Sequence, residues 1–251
     1  MDAAEKAFYS AFLIALAIVG LVLLFFLISI VRQQKRFRLL AKAKINAEIT
    51  TLENERKRIA SDLHDEIGPL LSAVKLQINH LDGGDALQQK LVEKSSTYID
   101  DVIKKMREIS NDLLPTILVR RGLAVAAEDF LQKVGPGTQT IIETEIKLDG
   151  RLPMETEVNL YRIIQEITHN TLKHAKAHKF RLELVREGNV VRLATADNGV
   201  GFTEEVKLKK ETGLGLLNLQ SRTEMMGGEL FRQSAPGQGT KYIIEIPVIN
   251  S

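Results

Sequence analysis

The chain has 251 residues, 44% of them hydrophobic and 26% charged, which is enough apolar material for one or two globular units. A net charge of only +2 predicts no general attraction to nucleic acid, and the absence of cysteine excludes disulfides, thiolate metal sites and cysteine nucleophiles. The lack of cysteine also agrees with a cytosolic working part. We therefore look for function in motifs placed along the chain.

An uncharged apolar segment occupies residues 7–31. A helix of about 25 residues is about 37 Å long, which is enough to cross a bilayer with some tilt. A cleaved signal peptide is the alternative, but it would have a shorter apolar core and a basic start, whereas this chain starts with Asp2, Glu5 and Lys6. Basic residues follow the segment at once: Arg32, Lys35, Arg36, Arg38, Lys42 and Lys44. The positive-inside rule therefore predicts one transmembrane helix, with residues 1–6 outside and the rest in the cytoplasm.

Residues 32–81 read as one long helix with a histidine beside its apolar seam. The seam has two parts, first Ile45, Ile49, Leu52, Ile59 and Leu63, then Ile67, Leu71, Val74, Ile78 and Leu81. The two parts differ by one residue in phase, and the slip leaves His64 beside the stripe, where another molecule could reach it. Asp65 could hold the proton on one ring nitrogen and leave the other nucleophilic. His64 is thus a candidate phosphate acceptor, although a solvated histidine is the alternative for an isolated His-Asp pair.

A helical hairpin is expected next, because Asp82-Gly83-Gly84-Asp85 supplies a turn and Pro115 ends the returning helix. The return helix carries its own apolar stripe of Leu87, Leu91, Tyr98, Val102, Met106, Ile109 and Leu113. One hairpin cannot cover that stripe, so two copies should form a four-helix bundle. A helix that caps the next domain is the alternative.

The pattern after residue 122 predicts a two-layer α/β domain. Helices are predicted over 123–134, from Pro153 onwards and over 213–226. Strands are predicted over 140–148, 180–186 and 190–196, with a closing hairpin of 229–234 and 240–248.

Three polar residues share a spacing on the helix that follows Pro153. Glu166, Asn170 and Lys173 lie at i, i+4 and i+7, which is one helical face. Oxygen ligands suit a hard cation and lysine neutralises phosphate, so the face suits a magnesium-phosphate group. Taken alone, it could equally be the solvated side of an amphipathic helix.

A second polar motif follows the strand that ends at Ala196. Asp197 could accept a hydrogen bond from the adenine amine, and Gly199 and Gly201 allow close approach of the backbone to a flat ligand. Gly213 and Gly215 then open a helix whose N-terminus favours phosphate, and the polar residues 203–212 between the two motifs could be a lid. Neither a G-x-x-x-x-G-K-[ST] loop nor a Rossmann fingerprint occurs, so the site is of another type.

The succession of ERKRIASDLHDEIGPLLS, LYRIIQEITHNTLKHA, DNGVGF, TGLGLLNLQSR, MGGEL and PGQGT resembles two-component sensor histidine kinases, in the subfamily of nitrate/nitrite sensors and the membrane thermosensor. The ATP-binding part is of the type shared with gyrase and Hsp90. The resemblance implies ATP and Mg²⁺ as cofactors, His64 as the phosphorylated residue, Asp65 as its partner and base, and Glu166 and Asn170 at the magnesium site, with Asn170 as the direct ligand. It also implies that Lys173 lies near phosphate and that Gly213 and Gly215 form the lid hinge and phosphate contact. Asp197, beside Gly199 and Gly201, would read adenine, and Thr240 would close its pocket. Arg222 is similar to a family arginine of less certain role.

The fold class implied is a membrane-anchored α plus α/β protein with three parts: a single transmembrane helix, a dimeric four-helix-bundle phosphotransfer domain and a two-layer α/β sandwich. The predicted domains are an outer terminus 1–6, a transmembrane helix 7–31, a coiled-coil linker 32–54, the histidine hairpin 55–115, an interdomain linker 116–122 and the ATP-binding domain 123–251. The implied enzyme is an ATP-dependent histidine kinase in the bacterial inner membrane, with its catalytic part in the cytoplasm. It would pass phosphate from His64 to an aspartate of a response regulator with a helix-turn-helix output. A homodimer and a membrane sensor partner are expected, and no direct contact with nucleic acid.

One departure from the subfamily is Pro69, where Gln or Asn tied to dephosphorylation of the partner often stands, so phosphatase activity is in doubt. Pro69 should also kink the helix one turn after His64. Two alternatives stay open: a membrane scaffold without turnover, and a gyrase- or chaperone-like ATPase. The signal, the regulator and the choice between cis and trans phosphorylation stay open too.

Overall fold

The computed structural model describes residues 3–80, 86–202 and 212–248. It divides into two compact units, Met1–Ala47 and Glu48–Ser251. Helix α1 begins at Ala3 and ends at Asp62. Among the described residues, α1 contains the one stretch long and apolar enough to cross a membrane, with a mean hydropathy of 1.7 and no buried residue in that window. By length and composition, the predicted transmembrane segment is therefore a candidate membrane span.

The histidine helix is interrupted at the point where the two seams slip. A π-helical turn covers Leu63–Ile67, and the N–H of Gly68 donates to the carbonyl of Leu63, five residues back. A π-turn holds one more residue than an α-turn, so it absorbs the one-residue phase slip. Helix α2 then covers Gly68–Asn79 with Pro69 in its first turn, where a missing N–H costs little. The prediction of one unbroken helix over 32–81 is thus wrong at this turn.

Helix α3, Ala86–Leu113, returns beside α2 as predicted, while the predicted turn at 82–85 lies outside the described residues. The two helices are joined by an ion pair of 2.6 Å between Lys75 and Asp100. Closer to α1, Ser110 donates to the carbonyl of Ala60 at 3.2 Å. Of the predicted apolar stripe on α3, Met106 is buried. Five other members are exposed: Leu87, Leu91, Tyr98, Val102 and Ile109. The described chain therefore leaves most of this stripe open.

The α/β part is a mixed five-stranded sheet in the order β1-β2-β3-β5-β4, with β1 parallel to β2 and the other neighbours antiparallel. The strands are β1 Ile141–Lys147, β2 Lys179–Glu187, β3 Val190–Asp197, β4 Glu229–Ser234 and β5 Thr240–Pro247. The helices are α4 Thr116–Arg121, α5 Leu123–Val134, α6 Met154–Asn170 and α7 Thr212–Met225. Every predicted strand, and the predicted helices α5, α6 and α7, are confirmed.

One face of the sheet carries the core. Side chains alternate along the strands, so Leu182, Leu193 and Ile244 point inward and are buried, together with Ile163 and Ile164 of α6. The opposite face of β2 and β3 carries charged side chains such as Arg181 and Arg192. This alternation gives two layers, as the sequence predicted.

Helix α4 occupies most of the segment that was expected to be a linker, 116–122. Its Leu118 is completely buried and belongs to the same core as the sheet. Arg151 donates to the carbonyl of Leu118 at 3.4 Å and pairs with the buried carboxylate of Glu157 at 2.7 Å. The segment therefore packs as part of the α/β domain, because an apolar residue at position 118 finds a place in its core.

Glu157→Ala should lower the free energy of unfolding of the α/β domain by about 2–3 kcal/mol, because its carboxylate also accepts the N–H of Leu152 at 3.1 Å. The midpoint of pulse proteolysis in urea, measured on the solubilised full chain, checks this. Glu143→Ala is the control, since Glu143 forms only an exposed pair with Lys179. Equal shifts in the two variants would contradict the structural role of Glu157.

Candidate active site

A cavity of about 530 Å³ lies where the end of α6 meets the ends of β3 and β5 and the first turn of α7. Its lining contains most of the predicted cofactor residues: Glu166, Asn170, Lys173, Asp197, Gly201, Gly215 and Thr240. Residues far apart in the sequence thus meet in one space. Of the predicted lid, 203–212, residues 203–211 lie outside the described residues, and Gly213 is described only as part of the α7 backbone.

Asp197 is held in place by backbone donors at the end of β3. Its Oδ1 accepts the N–H of Gly199 at 2.9 Å and that of Thr240 at 3.3 Å. Burial raises the pKa of the Asp197 carboxyl above its ordinary value of 3.8, although the Gly199 and Thr240 N–H groups and the hydroxyl of Thr171 oppose that shift. A half-buried carboxylate with a fixed orientation can accept a hydrogen bond from a planar base.

The glycines beside Asp197 are required by close backbone packing. Gly201 has φ of 59°, and a Cβ there would collide with the carbonyl of Ala235. A Cβ on Gly199 would collide with the carbonyl of Ala175. Both glycines therefore keep this loop against its neighbours, and Gly201 also lines the cavity.

Glu166 and Asn170 form a pair at the other wall, where Asn170 Nδ2 donates to Glu166 Oε1 at 2.9 Å. This bond leaves the Asn170 Oδ1 as the amide atom that can accept or ligate. Gly215 of α7 packs directly on the pair, because a Cβ there would collide with Glu166 Oε1. The start of α7, where backbone N–H groups favour phosphate, is thus brought to the carboxylate and amide.

Gly215→Ala should lower the affinity for ATP by at least about tenfold, because the added methyl group would displace Glu166 or the start of α7. Equilibrium dialysis of the full chain with labelled ATP measures the affinity. Gly137→Ala is the matched control, since nothing lies within 4 Å of a Cβ at that position. An unchanged affinity in Gly215→Ala would show that α7 does not approach the ligand.

Lys173 departs from the predicted helical face. Helix α6 ends at Asn170, and Lys173 lies in a second π-helical turn, Thr171–Ala175. Lys173 still lines the cavity. The prediction of one helical face assumed α-helical spacing from Glu166 to Lys173, whereas the turn that carries Lys173 is π-helical and therefore wider.

Thr171, Phe202 and Tyr242 are among the lining residues that the sequence did not single out. The hydroxyl of Thr171 supports Asp197, while Phe202 and Tyr242 supply aromatic surface. Burial raises the pKa of Tyr242 to about 12, so its hydroxyl stays protonated as a donor. The period of two along β5 could have placed Tyr242 on the same face as Thr240, whereas no local signal singles out Thr171.

His64 and Asp65 lie away from this cavity. Asp65 Oδ2 accepts the hydroxyl of Ser61 at 2.8 Å, and its Oδ1 is 3.7 Å from His64 Nδ1, beyond hydrogen-bond length. His64 is 61% exposed and borders a separate cavity of about 610 Å³ that Asn159 of α6 also lines. Along α6, Asn159 and Asn170 are about 16 Å apart at about 1.5 Å per residue. The structure therefore gathers the cofactor residues but does not bring His64 to them.

Two protein-family models match the sequence. One describes histidine kinases and matches residues 55–118, and the other describes histidine kinase-, DNA gyrase B- and HSP90-like ATPases and matches residues 155–250. The first includes His64 and the second includes every lining residue of the cavity.

The chain belongs to the histidine kinases. The ATPase domain of this family binds ATP, and its members in general phosphorylate their own histidine and pass the phosphate to a response regulator.

Curated relatives agree with the family. The chain is 32% identical over 208 residues to the sensor histidine kinase ComP of Bacillus subtilis, covering 77% of this chain and 26% of ComP. It is 31% identical over 221 residues to the sensor histidine kinase MctS of Rhizobium johnstonii, covering 82% of this chain and 46% of MctS. The chain thus spans about a quarter to a half of the length of these two relatives. Among solved structures, the blue-light-activated histidine kinase of Erythrobacter litoralis matches 77% of this chain and 60% of its own at 19% identity, with a TM-score of 0.43.

Proposed function

We propose that this histidine kinase phosphorylates His64 from ATP and passes the phosphoryl group to an aspartate of a response regulator. The observation that carries the proposal is the cavity at the end of β3, where Asp197 faces the same space as Glu166 and Asn170. One wall offers a fixed acceptor for a base, and the other offers oxygen donors beside a helix start.

ATP would lie with its adenine against Asp197 and its phosphates towards α7. The carboxylate would accept the exocyclic amine, with Gly199 and Gly201 keeping the loop close and Thr240 closing the pocket. Gly213 and Gly215 would present backbone N–H groups to phosphate, with Lys173 neutralising its charge. Adenine recognition then depends on one half-buried carboxylate.

The donor set fits Mg²⁺. This ion keeps several waters and substrate phosphates as ligands, so one or two protein oxygens are enough, and the Oδ1 of Asn170 with the neighbouring Glu166 supplies them. Bound there with ATP, Mg²⁺ would offset charge on the transferred group. Asn170 is the direct ligand in this proposal, and Glu166 orients its amide.

The transfer step needs a neutral imidazole at His64. Asp65 would hold the proton on Nδ1, so that Nε2 attacks the γ-phosphorus, a P–N bond forms and the bond from phosphorus to the ADP oxygen breaks. Asp65 Oδ1 must approach Nδ1 by about 0.5–1 Å to make that hydrogen bond. The phosphohistidine then passes its phosphoryl group to the regulator's aspartate.

The proposal includes a homodimer anchored in the inner membrane. The exposed stripe of Leu87, Leu91, Tyr98 and Val102 is the kind of surface that a second hairpin would cover. The apolar window of α1 has no buried residue and would face lipid. A response regulator with a helix-turn-helix output and a membrane sensor protein are the proposed partners, and DNA would be contacted only by the regulator.

The test is to incubate the full chain in nanodiscs with Mg²⁺ and ATP labelled in the γ-phosphate. We expect a protein-bound label that survives alkali but not acid, as phosphohistidine does. ATP hydrolysis without bound label would instead favour a gyrase-like ATPase, and ATP binding without either would favour a scaffold.

A further inference from the structure

A buried cluster of charges lies outside the nucleotide cavity, and one of its members, Glu53, also lines the cavity beside His64. Glu53 of α1 has a 14% exposed side chain, and Arg162 of α6 and Arg222 of α7 are each 9% exposed. Glu53 Oε1 is 2.7 Å from Arg222 Nη2, and its Oε2 is 3.3 Å from Arg162 Nε. One carboxylate therefore bridges two guanidinium groups 109 and 169 positions away in the sequence, and its Oε1 also accepts from Arg56 Nη1 of the same helix at 3.1 Å.

The two arginines are fixed by further bonds to the helical layer. Arg222 donates to Asn159 Oδ1 at 2.8 Å, and Arg162 donates to Gln165 Oε1 at 2.9 Å and to the carbonyl of Leu113. Burial lowers the pKa of Arg162, and the Glu53 carboxylate opposes this shift. The cluster thus joins the helix before His64 and the end of α3 to the two helices that border the cavity.

This junction fixes where His64 stands. Asn159, which accepts from Arg222, also borders the cavity beside His64, whereas Glu166 and Asn170 border the nucleotide cavity further along α6. Fixing α1 against this part of α6 therefore keeps His64 beside the Asn159 end of α6, and Asn159 is about three turns of helix from Asn170 in the nucleotide cavity. Transfer needs the reacting atoms within about 3–3.5 Å, and His64 borders a different cavity from Glu166 and Asn170, so this arrangement does not permit it.

We propose that Glu53 is a latch that holds the ATPase domain against the histidine helices in a non-transferring arrangement. Release of Glu53 from Arg162 and Arg222 frees the ATPase domain to carry ATP to His64. The expected effect of the latch on phosphorylation rests on the proposed kinase function. The contact of Glu53 with the two arginines is independent of that proposal. Since Glu53 lies on the same helix as the apolar segment, movement of α1 acts directly on this contact.

The charges explain why one residue can control the arrangement. Without the carboxylate, the guanidinium groups of Arg162 and Arg222, with that of Arg56 beside them, lose their shared counter-charge in a poorly solvated place, and their repulsion favours separation. Glu53→Gln keeps the size of the side chain and removes only the charge. Without ligand, Glu53→Gln should therefore shift the equilibrium of the ATPase domain from the form docked on the histidine helices towards the released form.

The test compares Glu53→Gln with Glu55→Gln in the full chain in nanodiscs. Glu55 is on the same helix but pairs only with Arg58 three residues on, so it is the matched control. We expect Glu53→Gln to raise the initial rate of phosphorylation by about tenfold and to speed hydrogen exchange over residues 154–165 without ATP. Glu55→Gln should leave both near the native values.

The outcomes distinguish failure of the latch proposal from failure of the kinase proposal. A Glu53→Gln variant with native exchange, or with a reduced rate of phosphorylation, would overturn the latch. Faster exchange in a protein that never acquires a label would support the contact while removing the kinase proposal. Arg222→Gln adds a second test: combined with Glu53→Gln it should produce little further increase, because both changes open the same junction. Additive increases would overturn the shared contact.

Discussion

His64→Gln should abolish the acid-labile label from γ-labelled ATP, a fall of at least about a thousandfold, because glutamine has no nucleophilic nitrogen to form the P–N bond. ATP binding should be unchanged, since His64 lies away from the nucleotide cavity. Scintillation counting of the alkali-treated protein, with equilibrium dialysis on the same sample, measures both.

The control for this substitution is His80→Gln. His80 is the residue after α2, where Nδ1 is 2.7 Å from the carbonyl of Leu76. Its replacement should leave the label intact, which separates loss of the acceptor from disturbance of the hairpin. An acid-labile label that persists in His64→Gln would move the acceptor to another histidine.

Asp197→Asn should weaken ATP binding by about a hundredfold, or about 2.7 kcal/mol, because the amide replaces a charged acceptor with a group whose N–H₂ repels the adenine amine. Discrimination against GTP should fall with it. Titration calorimetry of the full chain with both nucleotides measures the two effects. Asp149→Asn, at an exposed position between β1 and α6, is the control and should bind ATP normally.

The same carboxyl gives a pH dependence. Since burial raises the folded-state pKa of Asp197 above 3.8, acidification should protonate it, and so reduce ATP affinity, at a higher pH than for an ordinary aspartate. The sign for stability is opposite. Protonation favours the fold, so the contribution of this group is fully present below pH 3.8 and is lost as the pH rises through the folded pKa. An affinity independent of pH in Asp197→Asn, over the range where the native protein changes, would assign the effect to this residue.

The sequence predicts the local elements well because periodicity is a local property. Residues 123–134 were predicted as a helix with the bounds that the structure has, and every predicted strand is present. The one-residue slip near His64 was also visible, but its form was not. Apolar spacing shows that a residue is inserted, whereas only the backbone shows that a π-turn absorbs it.

Several polar residues that line the cavity could be predicted from the sequence because they stand at the end of an element. Asp197 ends a strand and Asn170 ends a helix, and such ends meet at one edge of a sheet. The Glu53 cluster could not be found in this way. Glu53 is 109 and 169 positions away from the two arginines, and each residue alone reads as an ordinary surface charge on a helix.

The burial of Leu118 matters for any attempt to isolate the ATPase domain. The histidine kinase match ends at residue 118, inside α4, and the ATPase match begins at residue 155. The end of α4 and all of α5 and β1 therefore lie outside both matches. A fragment cut at residue 123 would leave an apolar hole where Leu118 packs, and one cut at residue 155 would also lose Arg151, the partner of Glu157. An expression fragment that begins at Pro115 keeps the domain's core intact.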